Sequence, residues 1–82
     1  MISPIIHING TPREQLKQPY MDCYALLEDA AESLRQAAPN GRDYYLVPGR
    51  MQEAEAQHMR RLKIIRDLQA ELEQQCEAID AA

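Results

Sequence analysis

RMQEAEAQHMRRLKIIRDLQAELEQQCEAID, Arg50 to Asp80, runs 31 residues without a glycine or proline and predicts one long amphipathic helix. Its apolar positions fall at His58, Leu62, Ile65, Leu68, Leu72, Cys76 and Ile79, a mean spacing of 3.5. That is the seam period of a helix packed on another helix. Such a helix is roughly 45 Å long at ~1.5 Å per residue, more than a compact small domain can cover. It needs a second long helix, or copies of itself, to lie against.

The second helix stands upstream. Thr11-Pro12-Arg13-Glu14 places an N-cap, a proline suited to the first helical position and a glutamate at the third, which completes a capping box. From Pro12 the apolar positions are Leu16, Tyr20, Cys23, Leu27, Ala30, Leu34 and Ala37, again 3.5 apart on average. Pro19 removes one backbone donor and predicts a kink near Gln15 to Gln18. Pro39 predicts the end at Ala38. Residues 1–82 therefore read as one all-α domain: an arm over 1–10, a helix over 12–38, a loop over 39–49 and a helix over 50–80, the helices folding back as an antiparallel hairpin. In the arm, Ser3-Pro4 and the β-branched Ile5, Ile6 and Ile8 suit a short strand, or an extended segment covering a helix of its own chain or of another subunit. A hairpin closed by the loop brings together residues whose numbers total about 87. Glu28 then faces Arg60, and the cluster Arg60, Arg61, Lys63 and Arg66 is used in cross-helix ion pairs that fix the register.

Eighty-two residues bury only a small core, so oligomerisation is expected to supplement it. Cys23 and Cys76 both sit inside helical patterns, no signal peptide precedes them, and no apolar run approaches the ~18 residues of a membrane span. The reading is a cytoplasmic protein without disulfides. Nine Lys and Arg against thirteen Asp and Glu leave a net charge of −4, which argues against general nucleic-acid binding. Four tyrosines are the only aromatic residues.

No phosphate loop, nucleophile elbow or zinc-protease motif is present, and neither histidine has metal-ligand spacing to a cysteine. The reading is a non-enzyme with no catalytic residue, metal or cofactor. His58, on the seam, reads as a hydrogen-bonded core histidine. Two polar clusters are candidate binding sites. His7, Asn9, Gly10 and Thr11 precede a helix N-terminus, where exposed N–H groups and the helix dipole favour an anion; the alternative is that Thr11 only caps and Asn9-Gly10 only turns. Arg42, Tyr44 and Tyr45, with Arg50 following, combine stacking surfaces with guanidinium groups that grip phosphate; the alternative is a loop whose tyrosines pack on helix ends while Arg42 pairs with Asp43. In a hairpin the two clusters lie at opposite ends, so one site using both requires a second subunit.

Ile6-His7-Ile8-Asn9-Gly10-Thr11 opening a helix, followed by Ala38-Pro39-Asn40-Gly41-Arg42-Asp43-Tyr44-Tyr45 before a second helix, resembles a group of small phage and prophage accessory proteins. Pro19 departs from that group's pattern, in which the first helix is unbroken. In size and helical-hairpin plan the chain is also similar to phage sponges that sequester cyclic nucleotides made by bacterial defence systems. That similarity implies a homo-oligomer holding a nucleotide-type ligand between subunits, without catalysis, inside a bacterial host. The other reading is an inhibitor or adaptor whose long helix, or whose arm and tyrosine loop, docks on a host protein.

Overall fold

The computed structural model describes residues 2–7 and 10–82. Two helices, α1 (Arg13–Arg35) and α2 (Arg50–Ala81), pack side by side, with no strand among the described residues. The molecule measures 64 × 19 × 12 Å, and its radius of gyration is 18.6 Å, against about 12 Å for a compact domain of this length. The shape is that of an elongated helical hairpin.

α1 begins one residue later than the capping box requires. Pro12 occupies the N-cap with φ −56° and ψ 146°, and no side chain caps the helix. The extended ψ of Pro12 leaves Thr11 outside, so its hydroxyl cannot serve the first-turn donors. A tertiary contact holds this end instead: Arg13 Nε donates to the carbonyl of Ile79 at 3.1 Å, and its guanidinium also reaches the carbonyl of Ala82. The Ile79 carbonyl also accepts the N–H of Ala82, so Arg13 adds a charged donor at the C-terminus of α2, where a cation offsets the helix dipole. Helical backbone continues on both sides of Pro19, whose ring lies on an exposed face.

α1 ends at Arg35, three residues before Ala38. Ala37 N–H donates to Leu34 and Ala38 N–H to Arg35, tightening the last turn before Pro39 acts. Arg35 also pairs with Glu32 at 2.6 Å and Glu28 at 3.6 Å. The connection is therefore longer than the 39–49 loop, and it folds along the first turns of α2. Gly49 opens α2 in the left-handed conformation at φ 81°, which glycine adopts without a Cβ penalty.

That longer connection shifts the register. Glu28 meets Arg66, not Arg60, and Lys17 meets Asp80 at 2.9 Å, pairs whose numbers total 94 and 97 in place of 87. Of the basic cluster, Lys63 pairs along its own helix with Asp67 at 2.6 Å, so Arg66 alone makes the expected cross-helix pair among the described residues.

The seam also differs in two places. Ala31, fully buried, takes the position read for Ala30; Gln69, 3% exposed, takes that read for Leu68, which is 39% exposed. Gln69 is accommodated because its amide is used on both sides: Nε2 donates to the carbonyl of Tyr24 and to Glu28, each at 3.3 Å, and Oε1 accepts from Arg66 at 2.6 Å. A satisfied polar group at one seam position is a register device of helix pairs. His58 is buried as read, but no side-chain hydrogen bond of it is found among the described residues. Cys23 and Cys76 are half-buried free thiols.

The two broad faces of the hairpin are unlike. One is bridged by Lys17 with Asp80 and Glu28 with Arg66, and Tyr24 and Glu73 line one groove there. Arg66 and Gln69 hold the Glu28 carboxyl down at about 2, while Glu73 raises the Tyr24 phenol. At about 100° per residue, the opposite face carries Leu16, Cys23, Leu27, Ala30 and Leu34 from α1, and Ile64, Ile65, Leu68 and Leu72 from α2. The arm closes one end of this apolar face. Gln75 Nε2 donates to the carbonyl of Ile2 at 2.8 Å, and Ser3 Oγ to that of Ala78 at 3.1 Å, helping to bury Ile79 to 1% exposure. The segment is thus an arm on its own chain's helix.

Candidate functional site

The tyrosine loop is built by short-range hydrogen bonds. Asn40 Oδ1 accepts from the N–H of Arg42 at 3.0 Å and caps a 3-10 turn over Gly41–Asp43. Asp43 N–H donates to Asn40 and Tyr44 N–H to Gly41, and Arg50 N–H closes the other side onto Val47 at 3.1 Å. These bonds set Tyr44 against the first three turns of α2. A groove of about 540 Å³ results, lined by Tyr44, Arg50, Glu53, Ala54, Ala56, Gln57 and Arg60. One aromatic ring and two guanidinium groups share it, and Glu53 lies 3.8 Å from Arg50.

Of the loop candidates, Tyr44 and Arg50 are therefore brought together, while Arg42 and Tyr45 are exposed outside the groove. No ion pair joins Arg42 to Asp43 among the described residues. Arg60 and Gln57 are the members that the sequence reading missed. The expected register places Arg60 in helix pairing, and the observed one turns it to the loop.

The arm candidates lie at the other end of the rod. His7 and Thr11 are exposed, and Asn9 lies outside the described residues. Gly10 N–H donates to the carbonyl of His7 at 3.0 Å. A Cβ on Gly10 would fall 2.8 Å from Nε2, but the exposed imidazole can swing aside, so this contact does not require glycine. The N-terminus of α1 faces the carbonyl end of α2, and Arg13 is already engaged there, so much of its attraction for an anion is spent within the chain. Beside it, a second groove of about 550 Å³ is lined by Lys17, Tyr20, Tyr24, Glu73, Glu77 and Asp80 among others, and Lys17 is bound to Asp80. That carboxylate-rich surface repels anions. The loop groove is the better anion site of the two.

Among the described residues no group of three or more His, Cys, Asp or Glu is placed to hold a metal ion, and no helix is long and apolar enough to cross a membrane. No family model, curated protein or solved structure matches the chain.

Proposed function

We propose that the protein is a non-catalytic, oligomeric binding protein that sequesters an anionic nucleotide-type signalling molecule at the Tyr44 groove. The observation that carries this reading is the placement of Tyr44, Arg50 and Arg60 around one cleft of about 540 Å³. Ligand sites commonly span ~300–1,000 Å³. A base stacked on tyrosine contributes ~1–3 kcal/mol, and a guanidinium fork matches a phosphate bidentately. The setting, a phage accessory protein neutralising a nucleotide alarm of its host, rests on the sequence resemblance alone. Calorimetric titration with cyclic mono- and dinucleotides tests the site. Tyr44→Ala and Arg60→Ala are each expected to weaken binding by about tenfold or more, at unchanged helical content. Equal affinity in both variants and the parent protein would remove the groove from consideration.

A second reading, docking on a host protein, is favoured by Tyr45, Leu46 and Val47. These three consecutive apolar residues at the hairpin tip are 75%, 78% and 49% exposed. A stoichiometric protein partner lost on Leu46→Glu would select it.

A further inference from the structure

The open face of α2 carries a palindrome. Gln57, Arg61, Ile64, Leu68, Glu71 and Gln75 lie in one stripe at spacings of 4, 3, 4, 3 and 4, pointing about 90° away from α1; the first five are exposed, and Gln75 at its end is bonded to the arm at Ile2. Their numbers pair about Arg66: 57 with 75, 61 with 71 and 64 with 68 each total 132. Reversal exchanges glutamine with glutamine, isoleucine with leucine, and arginine with glutamate. Arg61 and Glu71 are both exposed, and neither has an ion-pair partner among the described residues.

We infer that a second copy of this chain docks antiparallel on this face, with its two-fold axis level with Arg66. Ile64 then packs against the partner's Leu68, and Arg61 pairs with the partner's Glu71, twice each by symmetry. α1 meets the same axis without conflict. The Glu28–Arg66 contact fixes the level of the axis on α1 close to Glu28 and Asp29. Reversal about that level sets Cys23 opposite the partner's Leu34 and Leu27 opposite the partner's Ala30, a long side chain against a shorter one in both cases.

The exposed area supports the same occupant. The chain leaves 6247 Å² accessible, against about 5,000 Å² for a folded monomer of its mass, an excess of roughly 1,200 Å². Standard interfaces cover about 800 Å² on each partner. The bridged face offers no such pattern: Lys17 and Asp80, and Glu28 and Arg66, are paired across the hairpin, and the other charges of its groove, Glu73 and Glu77, are of one sign.

The arrangement has a consequence for binding that rests on the proposed ligand site. Arg50 stands level with the partner's Ala82. Each Tyr44 groove therefore lies at the same height as the partner's arm, which brings the two ends of the rod together at both poles of the dimer. The dimer itself is tested by mass, without any ligand.

Sedimentation or light scattering at graded concentration is expected to show a dimer for the natural protein. Arg61→Glu or Glu71→Arg alone turns two attractive contacts repulsive and raises the dissociation constant about tenfold. The double exchange, Arg61→Glu with Glu71→Arg, restores it. Within one chain these residues are ten apart, roughly 15 Å along the helix, so the rescue reports only an intermolecular antiparallel pair. Both side chains are exposed, and circular dichroism confirms equal helicity; should either variant lose helix, the neutral Arg61→Gln and Glu71→Gln replace it. A monomeric natural protein, single variants that dimerise unchanged, or a double exchange no tighter than the singles would each overturn the assignment.

Discussion

Ile79→Ala is expected to destabilise the hairpin by about 2–4 kcal/mol, the range for truncating a buried isoleucine. Ile79 is one of only two fully buried apolar residues among those described, at 1% exposure, and it sits where three segments meet. The arm crosses beside it through the Ser3–Ala78 bond, and Arg13 holds its carbonyl from the first turn of α1. Removing its side chain opens a gap beneath all three. A chain of 82 residues has a total stability of roughly 4–12 kcal/mol, so the loss is a large share. Urea unfolding followed by circular dichroism at 222 nm reads it as a lower midpoint at similar slope. A shift equivalent to less than about 0.5 kcal/mol, the range of an ordinary surface substitution, would show that this end is not part of the core.

Ala31→Leu is the second substitution with a large expected effect. Ala31 has no exposed surface and stands where α1 presses on α2. Three extra carbons there push the helices apart, and overpacking of this kind costs about 1–3 kcal/mol. The separation also lengthens the bonds of Gln69 to Tyr24 and Glu28 on the adjoining turn, so polar pairing is lost together with packing. Ala25→Leu, on an exposed face of the same helix, serves as the control and is expected to stay within about 0.5 kcal/mol of the parent protein. Similar unfolding curves for the two variants would place the contact face of α1 elsewhere.

The helices were legible because they are long, nearly free of glycine and proline, and patterned at 3.5. Arg50 to Ala81 follows directly from that pattern, and Gly49 marks its start. Hydropathy does not show which residue wins when an apolar and a polar side chain adjoin. Leu68 is the more apolar, yet Gln69 takes the seam, because Tyr24, Glu28 and Arg66 satisfy its amide. Ala30 and Ala31 are the same residue type, so nothing local distinguishes them. The register depends on how the connection folds. Pro39 predicts an end at Ala38, whereas the turn bonds at Leu34 and Arg35 stop α1 earlier. The lengthened connection runs back along the first turns of α2, so that the partner of Glu28 moves from Arg60 to Arg66, nearly two turns of α2.

That displacement explains the reading of the site as well. Tyr44 and Arg50 were recognisable from residue type alone, and they do share a groove. Arg60 was hidden because ion pairing in the expected register claimed it; Arg66 takes that role in the folded chain. The arm cluster stands out in the sequence for its helix N-terminus, and Arg13 lies within that motif. Its engagement with the last carbonyls of α2 is a contact across 66 residues, which no local pattern records.

Native mass spectrometry of the protein purified gently from bacterial cells tests the central claim most directly, since it reads subunit number and retained ligand together. The expected result is a dimer that carries additional mass of nucleotide size, with that mass absent from Tyr44→Ala while the dimer persists. A bare monomer, at concentrations where the natural protein is fully helical and with cyclic nucleotides added, would contradict it.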